Sequence, residues 1–325
     1  MAIISKSYQE NMQFASHKLL SGDVIALPTE TVYGLAGVIN NPHAINKIYQ
    51  LKNRPLNHPL IMHIAKVTDL YKYAINIPEY LDKLIENFWP GPLTFILNKS
   101  PNTPHYITGN QETVAIRMPN NKFTLDLINE INVPIAAPSA NKFMGISPTQ
   151  AQHVLSEFGD EVDVIDGGAC VCGIESTIID ATQNDSFRVL RPGFITADEL
   201  FIIHNNKYRV NILSSKEIAH SGNHKKHYSP HKPLLSYNSQ DSLNNILTEH
   251  KNIVIISYSN LYDTKLASSI LHIGDNSIDF ARDFYHVLRV ADEMADIDII
   301  AIEEPPTTPD WLAIWDRLSK AKGTL

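Results

Sequence analysis

Apolar residues along this 325-residue chain recur in two rhythms, and the alternation between them predicts an α/β fold. Short runs rich in Val, Ile, Leu and Phe read as buried strands: VIALP at 24–28, LIMHI at 60–64, TFIL at 94–97, VAIRM at 114–118, PIAAP at 134–138, VDVID at 162–166 and STIID at 176–180. Between them, apolar positions spaced by three and four predict helices over 13–20, 44–51, 77–87, 123–131 and 149–158. In SPTQAQHVLSEFG, Ser147 reads as the N-cap, Pro148 as the first helical position and Gly159 as the stop. Beyond Phe201 the pattern degrades into a polar connector that ends in AHSGNHKKHYSPHKPL at 219–234. A strand in 247–260, a helix around 281–296, a strand in 297–306 and a closing helix over 310–320 then predict a smaller α/β domain of Rossmann-like character. It lacks the GxGxxG fingerprint, so no dinucleotide is assigned to it.

The strand exits carry residues that a core would not choose. In LPTETVYGLAG at 27–37, Pro28 bars the chain from the ladder and four polar side chains follow before Gly34 and Gly37. Turn chemistry uses the same residues, so this segment alone does not separate a ligand loop from a turn. The texture repeats, however. KNRP at 52–55 places two cations two residues apart, on one side if the segment is extended, which suits a polyanion. WPGPLT at 89–94, TVAIRMP at 113–119, APSANKFMGISPT at 137–149, IDGGACVCGIESTIID at 165–180 and VLRPG at 189–193 continue the series. Arg117 lies in an otherwise apolar strand, where it would be costly to bury unpaired.

Taken together, these segments resemble the YrdC/Sua5 family of threonylcarbamoyl-AMP synthases, and most closely its longer Sua5 type. They run from about Gly22 to Gly193 in the family's order and spacing. The resemblance implies a large twisted mixed sheet with a concave basic surface, and condensation of L-threonine, bicarbonate and ATP to threonylcarbamoyl-adenylate and pyrophosphate. That product supplies the N6-threonylcarbamoyl group of adenosine 37 in tRNA. The implied organisation is a catalytic domain over 1–205, a linker and active-site lid over 206–232 and a Sua5-type domain over 233–325. Carried over residue by residue, Thr31, His63, Arg117 and Ser176 match threonine-contacting positions. Arg54, Thr113, Ser139, Ser147 and Arg191 match ATP-contacting ones. His58 stands where family members commonly carry Asn, a departure at one nucleotide contact.

No GxxxxGK[ST] loop is present, so the phosphates of ATP must be held by separate side chains and backbone amides. Lys52 and Arg54 are the candidates for the triphosphate, with Arg191, Ser139, Asn141 and Ser147 beside them. Adenylyl transfer is mostly positioning and charge neutralisation, so no covalent nucleophile is required and no catalytic residue is assigned. Mg2+ is expected on the nucleotide, held mainly by substrate oxygens. Glu30 and Glu175 are possible bases or metal contacts, or simply orient their loops. HYSP at 227–230 matches the end of the family's linker, and Tyr228 is the lid residue expected over the nucleotide. His220, His224, His227 and His231 fall at helical spacing, but Gly222 and Pro230 argue against the unbroken helix a metal site would need.

Composition narrows the alternatives. A net charge of −8 argues against a whole-surface nucleic-acid binder. From Lys232 to Leu325 there are 8 Lys and Arg against 14 Asp and Glu, so this part carries −6 and the remainder −2. Any polyanion site therefore belongs to the first two thirds. Two cysteines one residue apart, Cys170 and Cys172, exclude a disulfide framework and read as reduced thiols packed in or beside a strand. No run is long and apolar enough for a membrane span and no signal peptide is evident, so a cytoplasmic enzyme is expected, with no membrane partner. A non-catalytic YrdC-like RNA-binding module, and a carbamoyl-adenylate-forming enzyme with another acceptor, are the alternatives. The acylphosphatase-like and zinc-finger-like segments of the latter class are absent from the sequence. tRNA and the proteins that transfer the threonylcarbamoyl group are the expected downstream partners.

Overall fold

A computed structural model describes residues 3–4, 7–203, 210–212 and 227–322. Among them, twelve strands build one large mixed sheet: β1 (Ile3–Ile4), β2 (Ile25–Leu27), β3 (Gly34–Val38), β4 (Ile61–His63), β5 (Ala74–Ile75), β6 (Leu93–Lys99), β7 (Thr113–Arg117), β8 (Ile135–Ala136), β9 (Val164–Ile165), β10 (Thr177–Asp180), β11 (Phe187–Arg191) and β12 (Val210–Ile212). Their order is β1-β9-β2-β3-β8-β4-β7-β6-β10-β11-β12, with β5 beside β6. Helices α1 (Tyr8–Leu20), α2 (Pro42–Lys52), α3 (Val67–Tyr73), α4 (Leu81–Phe88), α5 (Lys122–Ile131), α6 (Ala151–Phe158) and α7 (Ala197–Ile203) belong to the same region. Three apolar clusters make up its core, one centred on Leu35, Ile48, Met62, Phe95 and Val154, another on Leu19, Ile25, Leu127 and Ile135, and a small third one of Ile61, Ile96, Ile178 and Leu190. Alternate residues of the central strands feed opposite faces, so both faces are covered.

A second, four-stranded parallel sheet follows, with β13 (Leu234–Tyr237), β14 (Ile253–Ser257), β15 (Ser269–His272) and β16 (Ile299–Glu303) in the order β13-β16-β14-β15. Helices α8 (Gln240–Glu249), α9 (Ser277–Glu293) and α10 (Leu312–Lys322) complete it. The expected strand, helix, strand and closing helix are present. β13, α8 and β15, which the sequence pattern did not announce, are short or only partly apolar. Its core also takes in Val32, Ile146 and Ile174 from the large-sheet region, so the two regions share buried apolar surface beside the loops that carry the chemistry.

Several expected boundaries shift for identifiable reasons. Ser7 forms a capping box with Glu10, which starts α1 at Tyr8 rather than near 13. Ser147 does not cap α6. That helix begins at Ala151 after Gln150, whose side chain makes no cap bond, and Ser147 Oγ instead donates to the buried Glu175 carboxylate at 2.6 Å. A charge-assisted bond in a desolvated position outcompetes a neutral cap. KNRP is not extended either: Lys52 ends α2, and Asn53 adopts a left-handed C-cap (φ 53°) that turns the chain. Both cysteines lie in the β9–β10 loop rather than in a strand, free and buried. Burial pushes the Cys172 thiol up to about 12 and the Cys170 thiol up as well. His220 and His224 lie outside the described residues. No described helix is long and apolar enough to cross a membrane.

Candidate active site at the junction of the two sheets

A narrow cavity, open on one side, is lined by the exits of β2, β4, β7 and β11, the approach to β10, the loop 137–144 and the segment around Tyr228. Ten of the expected residues line it: Thr31, Lys52, Arg54, His63, Arg117, Ser139, Asn141, Ser176, Arg191 and Tyr228. Three do not. Thr113 stands at the far end of β7 from Arg117, paired with Asn98; four steps along the strand separate them, roughly 13 Å. His58 packs its ring against Phe143 (5.4 Å) outside the lining. Ser147 sits behind the wall, bonded to Glu175.

One floor of the cavity is built on strands. Arg117 closes β7 and is buried, yet it is not unpaired: Nη2 lies 2.7 Å from Glu30 Oε1, Nη1 donates to Thr31 Oγ1 at 2.9 Å and Nε to Gly91 O at 3.2 Å. Thr29 Oγ1 donates its single proton to Val32 O (2.6 Å), so in the 2.9 Å contact between the hydroxyls Thr31 is the donor and Thr29 the acceptor. Each hydroxyl of the turn is thereby oriented. His63 ends β4 in register with Arg117. Its Nδ1 is 3.1 Å from Ile61 O; a carbonyl only accepts, so Nδ1 carries the proton and Nε2 is left as an acceptor. Burial, reinforced by Arg117, lowers its pKa to about 3, which keeps the ring neutral. Ser176 Oγ meets Thr94 Oγ1 at 2.8 Å and accepts from Arg191 Nη2 at 3.1 Å.

The other side is built on loops. Lys52 is 1% exposed, and its Nζ donates to Ser139 O (2.5 Å) and Asn141 O (2.6 Å). Burial and the neighbouring Arg54 hold its pKa well below the usual lysine value. Asn141 spends its amide N–H groups on Lys142 O and Gly145 O, both at 2.8 Å, so it shapes the loop. Arg54 donates to Pro59 O (2.9 Å) and lies 5.7 Å from the Phe143 ring centre; burial lowers it to about 10. Among the described residues, the lining thus holds Lys52, Arg54, Arg117, Lys142 and Arg191 against the single carboxylate Glu175. On a chain of net charge −8 this is a concentrated anion site.

Glu175 is the carboxylate whose role the structure changes most. Oε1 accepts from Ser147 Oγ (2.6 Å), and Oε2 from Tyr285 Oη (2.9 Å) and Arg317 Nε (2.8 Å). Burial alone would raise its pKa, but Arg317 and Arg191 bring it down to about 2. A carboxylate that acidic is a poor general base at neutral pH. Tyr285 and Arg317, from the smaller region, were not among the sequence candidates. The signal available was a Tyr and an Arg on the apolar stripes of their helices, Phe280, Ala281, Phe284, Tyr285, Leu288 and Ala313, Ile314, Arg317, Leu318.

The family model for Sua5, YciO and YrdC proteins, described as "Telomere recombination", matches residues 17–193. A second, "Threonylcarbamoyl-AMP synthase, C-terminal domain", matches 195–323. The chain belongs to the Sua5/YrdC family, in its longer form. It is similar to a threonylcarbamoyl-AMP synthase of Pyrococcus abyssi, at 35% identity over 96% of this chain and 94% of that protein. One of Bacillus subtilis is 36% identical over 95% and 92%. The crystal structure of P. abyssi Sua5 complexed with L-threonine matches with a TM-score of 0.87 at 33% identity, covering 99% of this chain and 96% of the other. In this Sua5-type chain the family's C-terminal domain is the region that delivers Tyr285 and Arg317 to the cavity wall.

Proposed function

We propose that the protein is an L-threonylcarbamoyladenylate synthase, a nucleotidyltransferase that condenses L-threonine, bicarbonate and MgATP to threonylcarbamoyl-AMP and pyrophosphate for N6-threonylcarbamoylation of adenosine 37 in tRNA. The reading is supported chiefly by the convergence, in one buried cavity of a Sua5-type chain, of an anion-binding group of side chains with the oriented hydroxyls of Thr31 and Ser176 and the neutral His63. In this reading Arg117 takes the threonine carboxylate, and Thr31, His63 and Ser176 take its polar groups. Arg54, Arg191 and the loop of Ser139 and Asn141, braced by Lys52, take the nucleotide, and Tyr228 covers it.

Bicarbonate gives up hydroxide, which takes the ammonium proton of threonine and leaves as water; the freed amine bonds to the carbon of the resulting CO2 and releases a second proton to solvent, leaving the carbamate. The resulting carbamate oxygen attacks the α-phosphorus while the bond to the β-phosphate oxygen breaks, and pyrophosphate leaves. The chain's contribution is to align these groups and to oppose the charge that builds on the phosphates. Mg2+ enters as part of the nucleotide substrate, held mainly by substrate oxygens: Glu175 already accepts from three donors, and Glu30, which meets Arg117 through Oε1, does not line the cavity. In this reading the chain divides into 1–205, 206–232 and 233–325, the middle segment being a lid, of which 206–209 and 213–226 lie outside the described residues and 210–212 form β12 beside β11, in a cytoplasmic enzyme that hands its adenylate to tRNA and transfer proteins.

The decisive experiment is mass spectrometry of the purified protein with ATP, Mg2+, L-threonine and bicarbonate, each omitted in turn, with pyrophosphate followed alongside. A threonylcarbamoyl-AMP ion that requires every substrate is expected. ATP binding without that ion would overturn the synthase reading in favour of another acceptor or of RNA binding.

A further inference from the structure

Glu175 is held from outside its own domain. Of its three side-chain donors, only Ser147 belongs to the large-sheet region; Tyr285 comes from α9 and Arg317 from α10. Arg317 has no exposed side-chain surface. Beyond Glu175 it donates through Nη1 to Pro192 O at 2.8 Å, the carbonyl next to Arg191, and to Asp316 Oδ2 at 2.7 Å. Its guanidinium also lies 5.3 Å from the centre of the Tyr228 ring. One side chain therefore braces three segments that line the cavity: the approach to β10 with Glu175 and Ser176, the exit of β11 with Arg191, and Tyr228. The Tyr285 ring, 5.7 Å from that of Tyr228, backs the same corner. A bidentate-capable guanidinium fixed in a dry junction sets direction as well as charge.

We infer that Arg317 and Tyr285 are positioning residues for the reaction: they orient Glu175 as a fully engaged carboxylate, hold Arg191 and Tyr228 in register with it, and make the C-terminal domain part of the active site. The inference rests on the synthase reading above. Without Arg317, Glu175 is a buried carboxylate with its strongest counter-charge gone, and its proton affinity rises toward the working range. Glu175 then changes charge with pH, where the native carboxylate, brought down by Arg317 and Arg191, stays ionised.

The test uses the full-length chain with Arg317→Met, Arg317→Lys and Tyr285→Phe, the last removing one hydroxyl while keeping the ring. Pyrophosphate release is measured from pH 5 to 9 with ATP and threonine varied separately, and ATP binding is measured by calorimetry. For Arg317→Met, kcat/KM for ATP is expected to fall about 100-fold or more, with a new loss of activity below about pH 6 that the parent lacks. Arg317→Lys should restore part of the rate and move the acid limb back. Tyr285→Phe should fall about 3- to 10-fold in the same direction. Variants with parental pH profiles and kcat/KM within twofold would overturn the inference. If Arg317→Met does not fold, Tyr285→Phe decides alone by the same two readouts. A parent chain that makes no adenylate would sink the synthase reading instead, and the positioning role would then be judged on ATP affinity in the variants.

Discussion

Glu30→Gln removes one charge and keeps the shape of the side chain, which isolates what the ion pair with Arg117 contributes. Both partners are nearly sealed, with side-chain exposures of 3% and 5% at a separation of 2.7 Å. Removing one member of a buried pair leaves the other charge uncompensated, which costs about 3–5 kcal/mol. Arg117 keeps its bonds to Thr31 Oγ1 and Gly91 O, so the lower end, about 3 kcal/mol, is expected. Equilibrium urea unfolding reads this directly, and the tryptophans separate the regions: Trp89 precedes β6, whereas Trp311 and Trp315 belong to the C-terminal sheet region. The loss should appear in the transition that Trp89 reports. L-threonine should then restore more stability to the variant than to the parent, because its carboxylate supplies the negative charge that Arg117 has lost. Stabilisation by a ligand grows as RT ln(1 + [L]/Kd), so a titration of the midpoint against threonine yields the difference in affinity. A variant within about 0.5 kcal/mol of the parent, or one that threonine does not stabilise preferentially, would refute the reasoning.

Lys52→Met strands the Ser139 and Asn141 carbonyls and should cost about 2–4 kcal/mol while raising KM for ATP more than it lowers kcat; steady-state kinetics beside urea unfolding checks both. A Cβ on Gly193 would sit 2.3 Å from Thr177 N and 2.5 Å from Ser176 C, both backbone, so Gly193→Ala must displace the β10 approach; a Tm drop with loss of activity is expected. His63 and His153 have pKa values lowered to about 3 by burial, while the unfolded chain takes up those protons near pH 6.5. Stability should therefore fall as the pH drops below 6.5, by about 1.4 kcal/mol per histidine at pH 5.5, read as a shift in urea midpoint between pH 7.5 and 5.5. Tyr228 Oη is buried without a hydrogen-bond partner, so Tyr228→Ala should weaken ATP binding or let product leak to hydrolysis, and unchanged kinetics would remove the lid role.

The periodicities of 2 and 3.6 were enough to place most of the elements of the large sheet, because a residue's face in a strand or helix depends only on its spacing. Errors gathered where a tertiary partner overrode a local rule. Ser147 is a good cap in isolation, and only the nearby buried Glu175 gives its hydroxyl a better partner. The two cations of KNRP approach one cavity through a helix stop, not along an extended segment, because Asn53 turns left-handed at the end of α2. Thr113 is a different case: it matches a motif position for the nucleotide and lies at the far end of β7 from Arg117, outside the cavity lining, so its contact with ATP belongs to the proposed function.

By itself the sequence determined the alternation of strands and helices, the recurrence of cations in the polar segments of the first two thirds, and the family those segments resemble. Each of these is written in local spacing or in short motifs. Only the tertiary structure decided which candidates share one cavity, that Arg117 is neutralised by Glu30, that Lys52 braces a loop from within, and that Glu175 is gripped by Tyr285 and Arg317 from 110 and 142 residues away. Such pairings join segments far apart in the chain. Their strength comes from the desolvation that packing creates, and no window of sequence contains the packing.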